Sequence, residues 1–174
     1  MNDGKKNNSV TIYMFCILLL GITPILILFY CHLKTPDTYF FHTILIYTDS
    51  FPEITSSKNP TISKVISLYI KTAPFIAYIS FLKIYKDVSI RKDNSTVKLL
   101  TNLILYIIFY TTTIFLFLFH NHELTTSGKL LRIMSQNDYF LLFFFISLYA
   151  SIYILSFMLL WFLVGSYKVI KERI

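Results

Sequence analysis

"SLYIKTAPFIAYIS" occupies residues 67–80. It lies inside a long apolar stretch, yet Lys71 places a charge and Pro74 a helix breaker near its middle. Whether it is a membrane crossing decides the fold. The rest of the chain favours a crossing. Of the 174 residues, 55% are hydrophobic and only 14% charged, whereas soluble domains carry about 25% charged residues. Four segments, about residues 10–31, 62–84, 99–119 and 139–167, carry few or no charges. A helix needs roughly 20 apolar residues to cross the hydrocarbon core. The fourth segment is about 43 Å long as a helix and is expected to tilt or extend past the bilayer. The first is too long for the apolar core of a cleaved signal and has no small-x-small site after it, so it is expected to remain as an anchor.

The expected fold is an all-α integral membrane protein, a four-transmembrane-helix bundle forming a single membrane domain over residues 1–174. Lys and Arg set its orientation. Lys5, Lys6, Lys83, Lys86, Arg91, Lys92, Lys98, Lys168, Lys171 and Arg173 fall on one side; Lys34, Lys58, Lys129 and Arg132 fall on the other. The positive-inside rule places the first group, and with it both termini, in the cytoplasm. The inner loop is then 85–98 and the outer loops 33–60 and 120–138. This bias accounts for the net charge of +7, and no basic stripe with interleaved aromatics calls for a nucleic acid. The Asn94-Ser95-Thr96 sequon has no meaning on the cytoplasmic side.

Within the loops, Pro36 is expected to stop the first helix, and Asn59-Pro60 reads as an N-cap followed by proline at the first helical position. The stretch 41–48 is apolar enough to lie on the membrane surface or pack on the bundle. Gly128 reads as a turn, and "LLRIM" (130–134) as one or two turns of interfacial helix. Cys16 and Cys31 are about 22 Å apart along one helix and cannot pair, so they read as packing residues.

Inside the second segment, Lys64, Ser67 and Lys71 share one helical face, continued by Pro74 and Tyr78. A lysine at mid-bilayer costs about 2.5–3.5 kcal/mol, while each apolar residue contributes about 0.3–0.6 kcal/mol. Lys71 therefore either snorkels to the outer interface or bonds a partner helix or carbonyl. Pro74 frees the Ile70 carbonyl, and Pro24 acts likewise in the first segment, at kinks that are either structural or recognition points. In the third segment, Asn102, Tyr106, Tyr110 and Thr113 recur at helical spacing. In the fourth, Ser147 and Ser151 form a small-xxx-small pair. Such groups either glue the bundle or keep a surface for a foreign helix.

No catalytic motif or intramembrane carboxylate pair occurs. His120, His122 and Glu123 make a poor metal set because their spacing does not fit one helix face. "TSGK" (126–129) lacks the upstream glycine of a phosphate-binding loop. The sequence implies no enzyme, metal or cofactor.

Four stretches carry a resemblance: "KTPD" (34–37), "ITSSKNP" (54–60), "KTAP" (71–74) and "ELTTSG" (123–128). In this order, and with four apolar segments, the chain resembles colicin immunity proteins of the subgroup acting against pore-forming colicins of the A, B and N type. Ser127 departs from the alanine of that pattern. The resemblance implies a multi-pass protein of the bacterial inner membrane that binds the pore-forming domain of its cognate colicin, through that domain's hydrophobic helical hairpin, before the channel opens. Motif position and polarity nominate Lys71, Thr72, Ala73, Pro74, Glu123, Leu124, Thr125, Thr126, Gly128, Asn102 and Tyr106 for the contact. The competing reading is a small membrane transporter or channel subunit, although no internal repeat supports one. Which colicin is bound, and the oligomeric state, are not encoded in any recognisable feature.

Overall fold

A computed structural model describes residues 3–36, 38–48, 50–88 and 96–173. Asp37, Arg91 and Lys92, Asn94 and Ser95 of the sequon, and the side chains of Lys5 and Lys6 lie outside what it describes. In chain order the elements are α1 (Asp3–Lys34), α2 (Tyr39–Tyr47), β1 (Ile54–Thr55), α3 (Pro60–Ile70), α4 (Ala73–Ile84), α5 (Thr96–Leu118), β2 (His122–Glu123), α6 (Lys129–Gln136) and α7 (Asp138–Lys171). Among the described residues, four helical regions are long and apolar enough to cross a membrane: Val10–Lys34, Pro60–Ile84, Thr96–Leu118 and Asp138–Lys171.

The long helix α7 is the axis of the molecule. Its 34 residues run about 51 Å at helical rise. Asn137 starts it by accepting hydrogen bonds from the Tyr139 and Phe140 amides, and Asp138 adds a negative charge at the positive end of the helix dipole. At its far end Lys168 donates to the carbonyls of Tyr85, Lys86 and Val88, fastening the exit from α4. Helices α1, α3, α4, α5 and α6 all pack on α7. The small residues it buries are Ser156, Gly165 and Ser166, whereas Ser151 is exposed. The expected surface of close approach at Ser147 and Ser151 is therefore not the buried one: Ser147 is half-buried and Ser151 exposed.

The second apolar segment is two helices. At the junction the Lys71 and Thr72 amides bond three residues back, to Leu68 and Tyr69, and the Thr72 hydroxyl also donates to the Tyr69 carbonyl. The ladder restarts when the Ile76 amide donates to Thr72. Pro74 sits in the first turn of α4, where its missing N–H leaves no gap. The polar face expected to run unbroken from Lys64 to Tyr78 is therefore interrupted. By contrast, α1 continues through Pro24 without a break.

Seven of the eleven residues of α3 are buried, including Ser63, Lys64 and Ser67. They are covered by α1, α2, α7 and β1. Helix α3 is thus the core of a cap built from the described residues of 35–59 and from 119–137 at one end of the bundle. Within it, α2 sets Phe41 against α3 and the His32 ring. Helix α6 packs on α7, and Gly128 stands at its N-cap position. Asn59 occupies the N-cap position of α3 with Pro60 next, but its side chain reaches Asp138 and does not cap the helix. Cys16 and Cys31 are both exposed, contrary to the packing role expected of them.

Below the cap, aromatic hydroxyls join the helices. Tyr69 donates to the Gly21 carbonyl, and its ring stacks on Tyr149 at 5.6 Å. Tyr153 donates to Met14. Gly21 is what lets α1 come this close. A Cβ there would overlap the Tyr149 hydroxyl and lie 2.9 Å from its Cζ. Gly21→Ala is predicted to lower stability by about 1–3 kcal/mol, the usual cost of overpacking, read as a lower thermal midpoint in detergent micelles. Adding Tyr149→Phe, which removes the overlapping oxygen, should recover part of that loss.

Candidate functional site

Two features stand out: the clasp that closes the cap, and a slot beneath it. The clasp starts from a buried charge. Lys64 is 8% exposed and forms an ion pair with Glu53 at 3.0 Å. An ammonium this deep needs a counter-charge, and Glu53 draws its strand onto α3. The next amide, of Ile54, donates to Ser67, and that of Ser56 donates to Ser63. Ser63, Lys64 and Ser67 of α3 are thus spent on the chain's own loop.

That loop then pairs with the second one. Strands β1 and β2 run parallel, with Ile54 opposite His122 and Thr55 opposite Glu123. Backbone bonds run from His122 to Glu53 and from Leu124 to Thr55, both at 2.9 Å. Glu123 is the centre. Its carboxylate accepts from the Thr55 hydroxyl, the Ser57 amide, and the amide and hydroxyl of Thr125. Burial pushes this carboxyl up, but those hydrogen bonds outweigh it and hold the group below the ordinary carboxylate value of 4.5. Asn121 accepts from the Glu53 amide, and Ser127 donates to the Glu123 carbonyl. Lys58 donates to Gln136 and lies 3.7 Å from Asp138. The motifs at 54–60 and 123–128 are therefore two halves of one fastening. A polar cleft of about 460 Å³ opens beside it, bordered by Phe51, Glu53, Asn121 and Glu123.

The slot lies between α4 and α5. Pro74 and Phe75 form one wall, and Tyr110, Ile114 and Leu118 the other. Its volume is about 360 Å³. Lys71 stands at the cap end, its ammonium 5.6 Å from the centre of the Phe51 ring. Glu53, already paired with Lys64, is within electrostatic reach of it.

Of the residues nominated from sequence, Lys71, Thr72, Ala73 and Pro74 fall together at the α3–α4 junction. Ala73 is buried, as is Leu124, so neither offers a surface. Glu123 and Thr125 belong to the clasp. Thr126 and Gly128 are exposed near it. The two residues on α5 part company. Tyr106 donates to the Leu155 carbonyl of α7, with Tyr110 paired to Ser156 one turn on, whereas Asn102 is exposed. Thr113 bonds back to Phe109 in its own helix. His122 bonds the Leu116 carbonyl through Nε2, and among the described residues no cluster of three metal-ligating side chains occurs. Glu53, Phe51 and Asn121 were missed. Only Glu53 carried a usable signal, as an acid eleven residues before a lysine that sits in an apolar segment.

The family model described as "Colicin immunity protein" matches residues 37–174. The chain belongs to that family, which comprises immunity proteins and not enzymes. It is 36% identical to the colicin-A immunity protein of Citrobacter freundii over 171 residues, 98% of this chain and 94% of that one. It is 28% identical over 159 residues to the colicin-B immunity protein of Escherichia coli, covering 91% of this chain and 89% of that one. The colicin-N immunity protein of Escherichia coli matches at 33% over 112 residues, 64% of this chain and 86% of its own. No solved structure matches.

A carboxyl held low in the fold stabilises it above the ordinary pKa, and the gain is lost as pH falls through the folded value. The wild-type thermal midpoint is therefore predicted to fall below about pH 4.5, while Glu123→Gln is less stable at pH 7 and has a flatter acid limb. Thermal melts in detergent between pH 7 and 3 check both.

Proposed function

We propose that this protein crosses the bacterial inner membrane four times and protects its cell by binding the pore-forming domain of a cognate colicin there. Binding precedes channel opening and engages the toxin's hydrophobic helical hairpin. The observation that carries this reading is the pairing of a family match with four long apolar helical segments, one of which, α5, is exposed along most of its length. Within a bilayer such a face is wetted by lipid and available to another helix. No hydrophobic drive distinguishes lipid from helix there, so recognition falls to close packing and hydrogen bonds.

The distribution of Lys and Arg supports an orientation with both chain ends in the cytoplasm and the cap in the periplasm. The cap then meets the toxin first. The residues proposed for contact are Lys71, Thr72 and Pro74 at the slot and Thr126 and Gly128 beside the clasp. Glu123 and Thr125 hold the surface in shape. Asn102 faces outward from the other end of α5, and Tyr106 positions that helix on α7. A transporter or channel subunit would need a wet polar path, whereas the hydroxyls of Tyr69, Tyr106 and Tyr153 are bonded to backbone carbonyls.

Expression in sensitive bacteria, challenged with colicins A, B and N and with a nuclease colicin, tests the reading. Survival is expected against a pore-forming colicin and not against the nuclease type; killing by every pore-forming colicin overturns it. Reporter fusions at each chain end test the topology, with both expected to read as cytoplasmic; opposite sides for the two ends reject four crossings.

A further inference from the structure

We propose that the slot between α4 and α5 is the seat of one apolar helix of the toxin, and that Lys71 pairs there with a carboxylate on that helix. This rests on the immunity reading above and adds the place and chemistry of the contact. Helix α5 packs chiefly on α7, through Tyr106 and Tyr110, and its flank toward α4 is left open. Across that opening Phe75 is 71% exposed, although the neighbouring Ala73 and Ala77 are fully buried. The walls are apolar, so the occupant must be apolar along its length. Lys71 supplies the exception. Among the described residues, the acid within electrostatic reach of it, Glu53, is engaged with Lys64 at 3.0 Å, and the Lys71 ammonium rests over an aromatic face. A cation at the rim of an apolar slot, with its nearby acid committed elsewhere, selects a helix that brings its own negative charge. The charge also sets register, because it fixes how deep the incoming helix sits relative to the cap.

This chemistry separates the occupant from bulk lipid. An acyl chain fills an apolar slot without regard to charge, and an anionic phospholipid would bring a phosphate in place of a carboxylate. The helix proposal alone predicts that a charge in the toxin answers Lys71.

The test uses the full chain in sensitive bacteria, challenged with dilutions of whichever pore-forming colicin the wild type resists. Membrane levels are checked by a tag. Ile114→Trp, which fills the slot, and Lys71→Glu are each expected to cut protection at least tenfold at unchanged level. Ile108→Trp, on an exposed part of α5 away from the slot, should leave protection intact. The decisive arm changes each Asp and Glu in and beside the toxin's hairpin to Lys, one at a time. One such toxin should again be resisted by cells carrying Lys71→Glu, an outcome that misfolding cannot produce. Full protection by Ile114→Trp overturns the slot as the seat. Full protection by Lys71→Leu, or no rescue from any toxin variant, overturns the carboxylate pairing. A phospholipid that co-purifies with wild type but not with the two slot variants, with protection unaffected, assigns the slot to lipid and overturns both. In all these outcomes the wild type still protects; if it protects against no pore-forming colicin, the immunity reading itself fails.

Discussion

A single buried ammonium organises one end of this molecule. Lys64 lies in a helix surrounded by protein, where an unpaired charge is not tolerated, and Glu53 is its answer. Once Glu53 is fixed, the amides that follow it fall onto the hydroxyls of Ser67 and Ser63. The edge of that short strand then receives β2, and the Glu123 carboxylate gathers four donors from both loops. Two stretches of chain nearly seventy residues apart become one surface through this relay. The contribution of the pair is positional. Isosteric apolar replacements often serve stability as well as a buried ion pair does, so its use here is to specify where the loop goes.

The sequence revealed the apolar rods and concealed how they are used. Helical length and composition are local properties, and the four apolar stretches, the stop at Pro36 and the start at Pro60 could be seen in the residues alone. The fate of α3 could not. Its composition reads like part of an apolar span, but it is enclosed by α1, α2, α7 and β1, and this depends on partners distant in sequence. Lys64 and Ser67 were legible as a polar face, yet their partners were not, since two-residue strands leave no periodicity to detect. For the same reason the motif at 123–128 is suggestive of contact when read alone, while Glu123 is taken up by bonds within the chain and Leu124 is buried.

The neighbours of α5 show the opposite case. Tyr106 and Tyr110 were visible as a hydroxyl stripe, and the structure sets both against α7. Asn102, one turn earlier, is left outside, although Leu99 before it is buried and Thr96 at the start of the same helix accepts from Arg173 just past α7. Spacing predicts which residues share a face; it does not predict which of them the partner helix covers.

The order of residues in the clasp has a bearing on how the chain is made. Glu53, Ile54 and Ser56 precede the α3 groups they serve by only seven to thirteen positions. The counter-ion has therefore left the ribosome before the lysine does, and closing so short a loop costs little entropy. On the proposed topology, the least apolar of the four segments reaches the membrane with its charge already neutralised by the residues just before it. The rest of the fastening waits until residues 122–125 have been translated.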